Sequence, residues 1–405
     1  MTRPAAEAPY PAQRLGRARL AVSVLFLTNG AMFANLLPHY PAIKDGLELS
    51  NAAFGVAVAA FPLGAIVAGL ASGALVRRFR SSRVATAGTW LIGLSILLAG
   101  IAPSWAVLTA TLFLAGAMDA ITDVAQNSHG PRVQKLYRRS ILNSFHAVWS
   151  IGAVLGGLMG AAAAGLAVPR GLHLTVSFVL FSILTLACYH LLLPGPEPSE
   201  PAGDASVEPG SGRARRRTVT VGILAALVVV GIAGALVEDA GSTWAAVYLT
   251  GSLGAAPTVA GLGFVALVGL QFVGRLFGDR LVDRFGQRAV AQAGGALAAI
   301  GMGTALLFPS IPLTIVGFGL AGLGVATLVP AAMHSADELP GLRPGTGLTV
   351  ISWLLRLGFL LSPPIVGAVA DASSLRVGLI VVPLAGILTL LASPVLPRRV
   401  PPRRL

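Results

Sequence analysis

Charge is scarce in this chain. Only 11% of its residues are Asp, Glu, Lys or Arg, less than half the share of an ordinary soluble domain. Aromatic residues make up 6%, lysine is nearly absent, and one cysteine stands alone at position 188. A lone thiol excludes an internal disulfide and leaves no cysteine spacing for a metal. No Gly-rich loop ending in Gly-Lys-Ser/Thr occurs, so ATP is not the expected energy source. No His-Glu-x-x-His or Gly-x-Ser-x-Gly motif occurs either, which argues against an enzyme; neither a metal nor a cofactor is expected. A receptor is disfavoured because the chain has no sizeable polar segment to make a soluble domain.

What fills the chain is apolar: 55% of residues are hydrophobic and the mean hydropathy is +0.79. The apolar residues gather into twelve nearly uncharged runs, at about 20–38, 52–76, 84–102, 106–128, 141–165, 173–193, 219–240, 258–281, 289–308, 312–334, 347–370 and 376–396. Each is close to the roughly 20 residues that carry a helix across a bilayer. Alternating strands of a barrel would be shorter and half polar. The expected fold is therefore an all-α integral membrane protein with twelve transmembrane helices. The polar, Pro/Ala-rich stretch 1–17 precedes a long run without a small-residue cleavage site, which predicts a retained helix and not a signal peptide.

The formal net charge of +13 raises the question of nucleic acid, and the placement of the charge answers it. Arginines cluster in the N-terminal tail (Arg3, Arg14, Arg17, Arg19), after the second run (Arg77, Arg78, Arg80, Arg83), after the fourth (Arg132, Lys135, Arg138, Arg139), before the seventh (Arg213, Arg215, Arg216, Arg217) and at the end (Arg398, Arg399, Arg403, Arg404). The opposite loops hold only Lys44, Arg170 and Arg376. This asymmetry predicts cytoplasmic termini by the positive-inside rule. The expected partner of the basic residues is anionic lipid headgroup, not nucleic acid. Heavy use of Arg, Ala and Gly points to a GC-rich bacterium, and hence to a bacterial inner membrane.

Residues 194–218 begin Pro-Gly-Pro-Glu-Pro-Ser-Glu-Pro and continue Arg-rich, a composition suited to a flexible linker. The expected order is a tail (1–17), a six-helix bundle (18–193), the linker (194–218), a second bundle (219–396) and a basic tail (397–405). The halves also match. One shift of 206 residues places Leu75, Arg78 and Phe79 on Leu281, Arg284 and Phe285, and Gly152 on Gly358. Two places agreeing on one offset predict a duplicated, pseudo-symmetric unit with a solute site between the repeats.

Ionisable and polar groups inside apolar runs are costly and mark function by default. Asp119 and Asp123 lie four apart on one helix face, Asp123 about 6 Å nearer the cytoplasm. Two carboxylates so close cannot both ionise cheaply; they either couple protons or tie the fourth helix to the fifth through Asn127, Asn143 or His146. Arg356 falls near mid-membrane and needs a counter-charge, supplied by a helix carboxylate, Asp119 first, or by an anionic solute. Glu238 and Asp239 are expected at the outer end of the seventh helix, Glu238 as a gate or proton entry and Asp239 solvated. Asn29, Asn127 and Gln271 either bond a solute or link helices. Trp149 and Trp353 either floor a solute ring or pack. Arg275, Asp279 and Asp283 are expected to form an ion network at the inner end of the eighth helix. His39 and His334 fall near opposite membrane faces and are assigned interfacial or hydrogen-bond-satisfied roles.

The segment Gly278-Asp279-Arg280-Leu281-Val282-Asp283-Arg284-Phe285-Gly286-Gln287-Arg288 is similar to the Asp-Arg-x-Gly signature of the major facilitator superfamily. Its copy after the second run has Arg77 where the family's Asp stands and Arg80 where its Gly stands. Within that superfamily the chain most resembles the fucose-permease-like branch and its bacterial relatives. The likeness rests on Asp123-Val124-Ala125-Gln126-Asn127, on Asn143 through Ser150, on Glu238 with Trp244 through Leu249, and on Gly358 through Pro364. Gln134 and Arg356 depart from that pattern. The resemblance implies a cytoplasmic gate at Arg275, Asp279, Asp283, Arg284 and Gly286. It also implies a monomeric secondary transporter that moves a small polar organic solute, sugar-like or anionic, by alternating access, driven by protons. The other reading is a proton antiporter that exports an amphiphilic drug or natural product. Gly156-Gly157 stands where exporters carry Gly-Pro, which favours import.

Overall fold

In hydrocarbon a backbone can satisfy its polar groups only within itself, and long apolar runs accordingly become helices. The computed structural model describes residues 10–137, 141–195, 213–339, 342 and 346–397. Among these, twelve helices are long and apolar enough to cross a membrane and no strand occurs. They are α1 (Ala12–Ala34), α2 (Asn51–Phe79), α3 (Ser81–Gly100), α4 (Trp105–Tyr137), α5 (Leu142–Gly165) and α6 (Arg170–Tyr189), then α7 (Arg213–Gly251), α8 (Pro257–Phe285), α9 (Gln287–Leu307), α10 (Ile311–Val325), α11 (Thr346–Ala372) and α12 (Val381–Ala392). A short helix Tyr40–Gly46 extends α1, and Leu328–Asp337 extends α10. Leu70, Leu166 and Leu391 are each more than 70% exposed, an apolar exterior that suits lipid and not water.

All twelve runs are helical, and the seventh corrects its expected ends. It extends from Arg213 to Gly251 as one 39-residue helix, beginning inside the expected linker and passing well beyond residue 240. Residues 196–212, 398–405 and 1–9, Arg138, Arg139, Arg343 and the side chain of Asn143 lie outside the described residues, as do the linker and tail expectations that rest on them.

The repeat seen in the sequence is a repeat of backbone. Arg80 (φ 73°, ψ 142°) joins α2 to α3 and Gly286 (φ 84°, ψ 156°) joins α8 to α9, and each amide donates four residues back, to Val76 and Val282 at 2.8 Å. Gly152 of α5 lies against the backbone of α1 at Leu27, and Gly358 of α11 lies against Ile232 and Ala235 of α7. Close approach through glycine thus recurs at the equivalent helix pair of each half.

The halves meet along two seams, α2 with α11 and α5 with α8. At one end these seams are tight. Gly55 and Gly367 sit against Pro363 and Asn51, and Gly261 against Ala161. There Tyr40, Phe54 and Trp244 stack edge to face, with centroids 5.2 and 5.7 Å apart, all three buried. Asp371, exposed at the end of α11, completes the closure. It accepts from the Asn51 amide (2.9 Å), the Asn51 side chain (2.9 Å) and the Ala52 amide (2.8 Å). At the other end, where α1 starts and α12 finishes, Asp123, His146 and Arg275 are open to the solvent.

Candidate functional site

Between the halves lies a cavity of about 340 Å³, large enough for a small organic solute. Its walls are apolar, with Phe33, Phe61, Phe264 and Phe359. Its polar groups come from both halves: Asn29, Asp119, Asp123 and Trp149 from one, Glu238, Asp239, Thr243 and Arg356 from the other. A smaller continuation toward the open end adds His146 and Arg275.

On the N-terminal side a relay fixes one carboxylate. Trp149 Nε1 donates to Asn29 Oδ1 at 2.7 Å, and Asn29 Nδ2 donates to Asp119 Oδ1 at 2.8 Å. Gly30 lies against the Trp149 carbonyl, and that close approach of α1 to α5 brings the relay together. One turn along α4, Asp123 accepts from Asn127 Nδ2 at 2.7 Å and interacts electrostatically with His146 and Arg356. His146 packs edge-on against Phe26, centroids 5.3 Å apart.

The C-terminal side repeats the arrangement with different residues. Gln271 Nε2 donates to Glu238 Oε2 at 2.7 Å, and Arg275 Nη2 stands 3.7 Å from the same oxygen. Each half therefore offers a carboxylate held by a neighbouring amide, in the manner of a pre-ordered site.

Several expectations are corrected. Glu238 and Asp239 do not end α7 or meet outer water; the helix continues and both line the cavity. Asp119 forms no ion pair with Arg356; its bond is from Asn29. Arg356 Nη1 donates instead to the Ala65 carbonyl of α2 at 3.2 Å, with Gly69 leaving the room. The carboxylate within its field is Asp123, and no acidic oxygen comes within 4 Å of it among the described residues. Gln271 is 2% exposed, lies outside the cavity lining and holds Glu238. Asn127 likewise serves Asp123 from outside the lining. Trp353 is 45% exposed and lines neither cavity. Asp279, Asp283 and Arg284 are exposed and form no ion pair with Arg275, which turns inward to Glu238; Arg284 lies over Phe285. Gly286 keeps its turn. His39 takes the satisfied alternative, buried and bonded to His173 at 2.9 Å, whereas His334, half exposed, faces Glu338.

The sequence leaves Asp371 unremarked and misplaces Asp239. Asp371 sits where an apolar helix ends and looks like any solvated terminus. Asp239 was masked by the misplaced helix end, although the following Gly-Ser-Thr-Trp-Ala-Ala-Val-Tyr-Leu contains no breaker stronger than one glycine.

Two pseudo-symmetric six-helix halves around a central polar cavity define a multi-pass membrane transporter. The chain belongs to the Major Facilitator Superfamily, whose family pattern matches residues 22–247 and 228–405, and this is a family of transporters, not enzymes. It is 31% identical to an uncharacterized transporter, y4wD, of Sinorhizobium fredii, over 93% of this chain and 97% of that one. It is 30% identical to the membrane protein MosC of Rhizobium meliloti, over 92% and 88%. Among solved structures, the nucleoside transporter NupG superposes with a TM-score of 0.72 at 11% identity, covering 93% of this chain and 98% of that one.

Proposed function

We propose that the chain is a proton-driven secondary transporter of a small polar organic solute, working by alternating access in a bacterial inner membrane. With cytoplasmic termini, the structure corresponds to an inward-facing state, its basic residues near anionic headgroups and each monomer complete in itself. The observation that carries the reading is the pair of amide-held carboxylates, Asp119 with Asn29 and Glu238 with Gln271, one on each rocking half. Asp119, Asp123 and Glu238 take up and release the proton; Asn29, Trp149 and Arg356 contact the solute. The cavity holds four carboxylates against one lining guanidinium, which favours a neutral or cationic solute over an anion.

The four phenylalanines of the wall favour a second reading, export of an amphiphilic cation by proton exchange. Counterflow in proteoliposomes separates the two. Sugars, polyols and nucleosides exchanging across the membrane, and accumulating when the outside is acidified, support uptake. Exchange confined to lipophilic cationic dyes, expelled against an inward proton gradient, replaces it with export.

A further inference from the structure

The indole N–H of Trp149 can only donate. By donating to Asn29 Oδ1 at 2.7 Å, it fixes which way the Asn29 amide points and leaves Nδ2 to face Asp119 Oδ1 at 2.8 Å. An N–H aimed at a carboxylate oxygen favours the ionised form. A carbonyl oxygen turned to the same place would favour the protonated acid, because only the acid has a hydrogen to give it. Asp119 accepts no other side-chain hydrogen bond among the described residues, so this one amide decides which form is served.

The two halves differ in what can reach the amide. On the C-terminal side Gln271, which holds Glu238, is buried and lies outside the cavity, and Arg275 stands at the same carboxylate oxygen. On the N-terminal side Asn29, Trp149 and Asp119 all line both the cavity and its continuation toward the open end. An occupant of the cavity therefore has access to the indole that orients Asn29, and none to Gln271.

The charged and titratable groups that share these cavities with Asp119 are Asp123 of α4, His146 of α5, Glu238 and Asp239 of α7, Arg275 of α8 and Arg356 of α11. Of the other helices packed against α4, α1 and α2 add no charged group to the lining and α3 adds no residue at all. None of the six bonds Trp149 or Asn29 among the described residues, so removing the indole N–H leaves that surrounding charge in place.

We propose that Trp149 is the positioning residue that holds Asp119 ionised, through the orientation of Asn29, until a hydrogen-bond acceptor on the solute takes the indole N–H. The freed amide then turns its oxygen to Asp119, and the acid takes a proton from water at the open end. Solute binding and protonation favour each other by linkage, as proton-driven uptake requires and proton exchange does not. The inference rests on the reading of the cavity as the solute site and of Asp119 as a proton carrier.

Trp149→Phe frees the amide without any solute. The test is infrared difference spectroscopy of the purified full-length protein in lipid, titrated with pH, reading the carboxylic C=O stretch that disappears in Asp119→Asn. Trp149→Phe should move the midpoint of that band upward by about one pH unit, a tenfold gain in proton affinity. Asn29→Ala removes the intermediary, and adding Trp149→Phe to it should move the midpoint no further. An effect of lost bulk or altered hydration would persist there. Trp149→Met, which also lacks the N–H, carries the test if Trp149→Phe does not fold. A midpoint that stays or falls without the indole N–H, or a rise that persists in the Asn29→Ala background, overturns the proposal and leaves the proton-driven reading intact. An Asp119 with no titrating band overturns the proposal and removes Asp119 from the proton pathway as well. The measurement needs neither solute nor gradient, so a failure of counterflow does not decide it.

Discussion

Asp371 caps the first turn of α2 from across the molecule, accepting both the backbone amide and the side-chain amide of Asn51 at 2.9 Å. A carboxylate at a helix N-terminus meets unsatisfied N–H groups and the positive end of the helix dipole. Here helix and carboxylate belong to different halves, so the bond exists only while this end is shut.

Removing it should therefore bias the conformational equilibrium. Losing a cap costs about 1 kcal/mol, so Asp371→Ala should raise the population open at this end by a factor of about five. In a Cys188→Ser background, Val58→Cys reports it through faster labelling by an impermeant thiol reagent added outside. Equal labelling rates with and without Asp371 would show that the cap does not hold the gate.

Asp119→Asn should abolish accumulation driven by a pH gradient and spare solute exchange, because exchange need not release a proton. Asn29 can still bond the amide, so folding should be kept. Normal accumulation by this variant would remove Asp119 from the coupling pathway.

Arg80 and Gly286 occupy the same nearly glycine-only backbone region, where a side chain costs about 1–3 kcal/mol. Arg80→Gly should accordingly stabilise the protein and Gly286→Ala destabilise it, each by an amount in that range, measured as thermal or denaturant unfolding in one detergent. Two changes of the same sign would contradict the shared turn.

Arg356 is expected to couple to Asp123 and not to Asp119, a difference that a double-mutant cycle resolves. Arg356→Gln combined with Asp123→Asn should depart from additivity in stability by about 0.5–3 kcal/mol, whereas Arg356→Gln with Asp119→Asn should add. The reverse pattern would restore Asp119 as the partner.

The sequence by itself determined the membrane class, the twelve helices, the two-fold repeat and the family, because each rests on something local: an uncharged run of bilayer length, a turn such as Arg80 or Gly286, a spacing of 206 residues that recurs. It also singled out Asp119, Asp123, Glu238 and Arg356, since any charge in an apolar run stands out. Which groups touch was decided only by the tertiary structure. Asn29 reaches Asp119, Gln271 reaches Glu238 and Arg356 reaches Ala65 because glycines let particular helices approach at particular depths, and helix rotation and depth are set by packing against neighbours far away in the chain. Arg275 could as well have faced Asp279 on its own helix as Glu238 on another. Asp371 shows the limit most plainly: its meaning lies in Asn51, a residue 320 positions away, and nothing along the chain between them records that the two ends meet.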